Sequence, residues 1–209
     1  MTTPFGAFEV AARDGRRVTV ARRTRETDIA VTLDLDGTGA ADVRTGVGFL
    51  DHLLDAFAHH GLFDLAVRAT GDLEVDEHHT VEDVGLVLGA ALAEALGERA
   101  GIARFGEASV PMDEALATAV VDVGGRSYAV IDLPFRGERV GALPTQLVEH
   151  LLEAFARTSA TTLHLRGTGR NDHHLAEAAF KALARALRAA VAVDPRRAGA
   201  VPSTKGSLG

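Results

Sequence analysis

The chain has 209 residues, 46% hydrophobic and 24% charged, a length and mix that fit one large domain or two small ones sharing a core and exclude wholesale disorder. A net charge of −7 argues against wholesale nucleic-acid binding, and the absence of cysteine excludes disulfides, thiolate zinc sites and a cysteine nucleophile. Any metal must then be held by histidine and carboxylate, and a small anionic substrate needs locally gathered arginines.

The chain opens on a polar start, and Met1 to Val10 contains neither a basic start nor an apolar core. No run of about 18 apolar residues follows, so the expectation is a cytoplasmic protein with no membrane partner. Arg17 to Arg25 and Thr27 to Asp34 carry Val, Thr and Ile in strand patterns, and Asp36-Gly37-Thr38-Gly39 is turn chemistry. From Phe49 to His60 apolar residues recur at helical spacing, closed by Gly61. Asp64 to Thr70 reads as a short strand, and His78 to Arg99 as a longer helix with Asp76 where an N-cap would stand.

The second half repeats this order. Phe105 to Pro111, Ala115 to Val123 and Arg126 to Leu133 are strand-like, with Gly124-Gly125 signalling a tight hairpin. A helix from Leu143 to Ser159, a strand from Thr161 to Arg166 and a helix from His173 to Val193 follow, the last with Asp172 as its cap. Segregated strands and helices predict an α+β fold of two duplicated βαβα-type halves, residues 1–100 and 101–194, with a polar tail over 195–209.

The duplication is explicit in the residues. Asp51-His52-Leu53-Leu54-Asp55-Ala56-Phe57-Ala58 matches Glu149-His150-Leu151-Leu152-Glu153-Ala154-Phe155-Ala156 at an offset of 98, which Thr70-Gly71 and Thr168-Gly169 share. His-His-x-x-Glu occurs at His78 to Glu82 and at His173 to Glu177, 95 apart, so three residues are missing from the second copy. On a helix, residues i and i+4 project from nearly one line while i+1 is turned by about 100°. His78 with Glu82, and His173 with Glu177, can each share one ion, and His79 and His174 can reach another. Pseudo-twofold symmetry then predicts His173, Glu177, His52 and His79 around one ion, and His78, Glu82, His150 and His174 around a second. Three imidazoles and a carboxylate suit Mn, Fe, Zn or Ni better than Mg or Ca. His59, His60 and His164 have no counterparts in the other half and read as structural. No Walker A sequence or G-x-S-x-G elbow is present.

Gly48-Phe49-Leu50-Asp51-His52, His78-His79-Thr80-Val81-Glu82-Asp83, Pro111-Met112-Asp113-Glu114-Ala115, His173-His174 through Glu177 with Phe180-Lys181-Ala182, and Ser203-Thr204-Lys205-Gly206 together resemble the imidazoleglycerol-phosphate dehydratase family. The likeness runs from about Arg17 to Leu208. It implies a ribosomal protein S5 domain 2-like arrangement, with two mostly antiparallel sheets flanking a helical layer. It also implies a hydro-lyase that converts D-erythro-imidazole-glycerol phosphate to imidazole-acetol phosphate, the sixth step of histidine biosynthesis. The family uses two Mn ions per active site, held by the eight residues partitioned above, in a 24-subunit homo-oligomer with sites between subunits.

The proton to be removed is not acidic, so a metal-favoured imidazolate that expels the neighbouring hydroxyl as a diazafulvene-like species eases the elimination. By the same resemblance Glu26 is the acid/base and a substrate contact, and Arg104, Arg126, Ser203 and Lys205 bind the phosphate. Taken alone, Glu26 reads as a solvated strand residue and each of these cations as a surface charge. Asp51, Glu149, Asp76 and Asp172 flank the ligands and are candidate orienters. Two rival functions are a two-metal phosphoesterase, disfavoured by the scarcity of bridging aspartates, and a non-catalytic metal-binding protein, which would need neither Glu26 nor the Lys205 tail.

Overall fold

A computed structural model describes residues 8–197 and 199–208. Along the third strand every second residue is buried, and the same two-residue period recurs in its counterpart of the second half, so each sheet turns one apolar face inward. The first half comprises β1 (Glu9–Asp14), β2 (Arg17–Arg23), β3 (Thr27–Asp34), β4 (Ala41–Arg44), α1 (Gly48–Gly61), β5 (Asp64–Gly71) and α2 (His78–Leu96). The second comprises β6 (Phe105–Met112), β7 (Ala115–Asp122), β8 (Tyr128–Asp132), the short β9 (Arg139–Val140) and β10 (Leu143–Pro144), α3 (Thr145–Ser159), β11 (Thr162–Thr168) and α4 (Asp172–Val191). Each half builds its own sheet, in the orders β1-β2-β3-β5-β4 and β6-β7-β11-β8. Pairing is antiparallel except for β4 with β5 and β8 with β11. Helix α2 lies on β2 and β3 and α4 on β6 and β7, while the helices pair across the halves, α1 with α4 and α2 with α3. The α+β, two-sheet architecture expected from the sequence is the one observed.

Several local expectations change. Strand β1 has no apolar face, all six residues being exposed, so its sequence carries no period to read. Gly124-Gly125 does not close a hairpin, because β11 lies between β7 and β8. Instead Gly125, at φ 90°, sends its N–H to Ala160 O (3.1 Å), and the chain crosses the end of α3 before entering β8 in parallel with β11. Helix α2 stops at Leu96 rather than Arg99, since Gly97 and Arg99 both have positive φ (53° and 55°). The cap of α4 is Asn171, whose side chain accepts from His173 N (3.0 Å), and Asp172 turns away to accept from Arg136 N and Gly137 N.

Three features hold the fold together around the site. Gly85 and Gly89 let α2 approach α3: a Cβ on Gly89 would lie 2.4 Å from Phe155 O and 2.2 Å from Thr158 Oγ1. Gly89→Ala is therefore expected to push the two helices apart and lower stability by about 1–3 kcal/mol, read from the denaturation midpoint; unchanged stability would show that α3 is free to shift. Arg99 is buried and donates to Val123 O (2.8 Å), Ser159 O (2.7 Å) and Ala160 O (3.2 Å), pinning the end of the first half to two elements of the second.

Asp64 Oδ1 accepts the backbone N–H groups of Thr38, Gly39 and Ala40 at 2.8–3.1 Å, and these amides, with Ala40 and Thr38 leading, hold its carboxyl below the ordinary aspartate range. A depressed folded-state value adds stability above the unfolded value of about 3.9, and that stability is lost as pH falls through the folded value. Asp64→Asn is expected to melt below the parent at pH 7, with the gap closing below about pH 4. A gap independent of pH would mean that the charge contributes nothing.

Candidate metal centre and substrate pocket

The helix pairing across the halves gathers the predicted residues into two clusters. In one, α1 brings His52 to His173 and Glu177 of α4. His52 Nε2 and His173 Nε2 each lie 3.2 Å from Glu177 Oε2, and the Phe49 ring stacks against His173 with centroids 4.9 Å apart. In the other, α3 brings His150 to His78 and Glu82 of α2. His150 Nε2 is 3.5 Å from Glu82 Oε1, His78 Nε2 is 3.9 Å from Glu82 Oε2, and the two imidazole rings are 4.8 Å apart. Within each triad one ligand atom per residue falls inside a 4.8 Å span. The donor chemistry fits a borderline divalent cation. His150 Nε2 supplies a further sign of fit, being buried with no hydrogen-bond partner, which is costly for a ring nitrogen that has no other role.

The middle histidines are not drawn into these triads. His79 Nδ1 meets Asp72 Oδ2 and His174 Nδ1 meets Glu114 Oε2, both at 2.9 Å. The hydrogen bond that each imidazole gives to its carboxylate raises that imidazole above the ordinary histidine range, and His174 with the Arg170 and Asn171 amides holds Glu114 down at about 2. Burial alone would raise Glu177, but Lys181, whose Nζ is 2.6 Å from Oε1, and His52 outweigh it and hold that carboxyl at about 2. It is an anion at neutral pH.

The four carboxylates that flank the ligands in sequence make no hydrogen bond to a ligand side chain: Asp51 accepts from Thr45 N and Oγ1, Asp76 from His78 N (2.8 Å) and Asp172 from the Arg136–Gly137 amides, while the Glu149 carboxylate has no hydrogen bond among the described residues. Asp72, Glu114 and Lys181 are the residues that sequence reasoning missed as partners of the site. Lys181 had a signal, the i+4 spacing from Glu177 in a chain with two lysines.

Arg104, Arg126, Ser203 and Lys205 meet in a cavity of about 550 Å³ formed where the C-terminal segment folds over β6 and the β7–β8 connection. Arg104 is the anchor of this wall. It forks onto Asp122 (2.7 and 2.9 Å) and donates to Pro202 O (2.8 Å), with its remaining N–H groups left for a ligand. Arg126 and Lys205 are exposed beside it, Ser203 is half-buried, and Arg197 joins the same lining.

Glu26 lies elsewhere, in a shallow groove with Arg25, Thr70, Gly71 and Asp72. Its turn is fixed rather than loose. Thr24 Oγ1 accepts from Glu26 N (3.0 Å), and Asp83 of α2, buried, accepts from both Arg22 and Thr27 Oγ1. The Glu26 carboxylate itself is exposed, with no hydrogen bond or ion pair among the described residues. Within one chain the two triads, the cationic cavity and the Glu26 groove thus lie in four separate places.

An internally duplicated α+β chain with two His/carboxylate triads, compatible with a bound metal, and a cationic cavity belongs to an enzyme class of the two-sheet, helix-filled type. A family model for imidazoleglycerol-phosphate dehydratase matches residues 45–187. The chain is 59% identical over 189 residues to the imidazoleglycerol-phosphate dehydratase of Methanoculleus marisnigri, covering 90% of this chain and 97% of that one. It is 55% identical over 194 residues to that of Dinoroseobacter shibae, covering 92% and 100%. The crystal structure of the Pyrococcus furiosus enzyme, in complex with (S)-C348, superposes with a TM-score of 0.78 at 38% identity over 90% of this chain and 99% of that one. The Staphylococcus aureus enzyme gives 0.74 at 36% identity over 83% and 97%. The chain belongs to the imidazoleglycerol-phosphate dehydratase family, the hydro-lyases of histidine biosynthesis.

Proposed function

We propose that this chain dehydrates D-erythro-imidazole-glycerol phosphate to imidazole-acetol phosphate with two Mn ions per active site, in the cytoplasm and as a 24-subunit assembly. The observation that carries the reading is the pair of triads, each built from one histidine of one half and the His/Glu pair of the other. His52, His173 and Glu177 would hold one ion and His78, Glu82 and His150 the second, each completed by His79 or His174. Ions held there would supply Lewis acidity that favours the deprotonated substrate imidazole.

The chain's own residues do the rest. Lys181 keeps Glu177 ionised, so the carboxylate competes well for a cation. Arg126, Lys205 and Ser203, on a segment held down by Arg104, seat the phosphate and fix the distance from it to the imidazole end. Glu26 takes the proton from the carbinol carbon next to the one that loses hydroxyl, giving an enol that becomes the ketone.

Copies of the chain have to meet for this to happen. His79 and His174 lie outside the triads of their own chain, and neither the groove of Glu26 nor the cationic cavity includes a triad residue, which supports sites shared between subunits.

The test is to incubate manganese-loaded protein with imidazole-glycerol phosphate and follow the enolisable ketone by its absorbance in alkali. Ketone without free phosphate is the expected result. Phosphate release without ketone would make the protein the phosphoesterase, and a folded, metal-loaded assembly that turns over nothing would leave only metal binding.

A further inference from the structure

The two middle histidines are held alike by carboxylates that are not alike in origin. In the sheets Asp28 pairs with Thr70 and Leu116 with Thr168, and Thr70 and Thr168 are matching positions of the duplication. Asp28 therefore matches Leu116, and two residues earlier Glu26 matches Glu114. In the second half that turn carboxylate is engaged: Glu114 Oε2 receives Nδ1 of His174 (2.9 Å), and Oε1 receives the amides of Arg170 (3.0 Å) and Asn171 (2.7 Å). In the first half the work falls to Asp72, whose counterpart is Arg170, and Asp72 receives Nδ1 of His79 (2.9 Å).

We propose that Asp72 and Glu114 are positioning residues that fix His79 and His174 as the Nδ1–H tautomer with a bare Nε2, and that Asp72 thereby leaves Glu26 free for proton transfer. A carboxylate can only accept, so the proton of each neutral ring sits on Nδ1 and the lone pair on Nε2 faces outward as a ligand. The duplication supplied one carboxylate per turn. A second, from the end of β5, released one of them. The inference rests on the metal reading above for its purpose, though not for its geometry.

Two isosteric exchanges separate a positioning role from a structural one. In Glu114→Gln the Arg170 and Asn171 amides still need an acceptor, so the Gln oxygen stays with them and its NH₂ faces His174. The ring must then accept at Nδ1 and carry its proton on Nε2, closing that nitrogen to metal. Asp72→Asn acts in the same sense: Asp72 Oδ1 is buried without a partner, so the amide leaves its carbonyl in that place and turns its NH₂ to His79 Nδ1, which must then accept.

The experiment is ¹⁵N NMR of histidine-labelled, metal-free protein, in the solid state if the assembly is large, followed by titration with Mn(II). His79 and His174 should both report Nδ1–H in the parent, and Glu26→Gln should keep both signals. Asp72→Asn should move the His79 proton to Nε2 and Glu114→Gln the His174 proton, each weakening Mn(II) at one class of site by about 10- to 100-fold. With the pH set high enough that both rings are neutral, an Nε2–H signal from either ring in the parent, or an unmoved signal of His79 in Asp72→Asn or of His174 in Glu114→Gln, overturns the proposal. A parent that shows the stated tautomers but binds no Mn(II) would instead overturn the metal reading and leave the positioning geometry standing.

Discussion

Turnover of Glu26→Gln is expected to fall by about 10²- to 10⁴-fold, the range spanned by a positioned general acid/base, while metal content and fold stay as in the parent. The structure makes this a clean exchange. Glu26 is exposed, its carboxylate touches nothing that holds the turn, and the turn is secured independently through Thr24, Thr27 and Asp83. Paired measurements of kcat, bound manganese and melting temperature decide it. Undiminished kcat would remove Glu26 from the chemistry, and lost metal would move it into the ligand set.

Glu177→Gln should act on the other side of the same reaction. The carboxylate serves His52, His173 and Lys181 at once, so the neutral amide removes the charge that binds a cation and leaves the half-buried Lys181 ammonium without its counter-ion. The expected loss of affinity at one class of site exceeds the roughly 100-fold typical of outer-shell partners, and the protein should also lose stability, by about 1–3 kcal/mol for an uncompensated part-buried charge. Glu82→Gln offers the comparison. Glu82 has no lysine partner among the described residues, so its exchange should empty a site with a smaller loss of stability. Equal losses in both variants would show that the Lys181 contact contributes nothing.

Much of this was legible in the chain itself, because duplication turns a weak motif into a constrained one. His-His-x-x-Glu alone says little. Two copies with matched histidines at 52 and 150 fix which helix faces must meet, and the structure pairs α1 with α4 and α2 with α3 accordingly. Burial in β3 was readable from its alternation of Ile29, Val31 and Leu33 with polar or small residues, whereas β7 is apolar on both faces and its sequence shows a strand without showing which side is buried.

What stayed hidden depends on contacts that no period encodes. Strand β1 buries none of its residues, and the order β7-β11-β8 is decided by where Thr162–Thr168 inserts, not by the glycines that precede β8. Asp72 and Glu114 find their histidines from 7 and 60 residues away, across a turn and between elements, whereas the sequence neighbours Asp51, Asp76 and Asp172 accept from backbone amides, Asp76 at the start of its own helix.

The Arg99 contact has a consequence for how the chain is made. Helices α1 and α2 emerge from the ribosome long before their packing partners α4 and α3, and the arginine that ends the first half finds its acceptors at Val123, Ser159 and Ala160. Until those residues exist, the first half carries apolar helix faces and an arginine whose carbonyls have not been synthesised. Neither half completes its core alone, so folding waits on pairings of high sequence separation, which are entropically slow to close. The nascent first half is then a client for chaperones and a candidate for exchange with the same segment of a neighbouring chain.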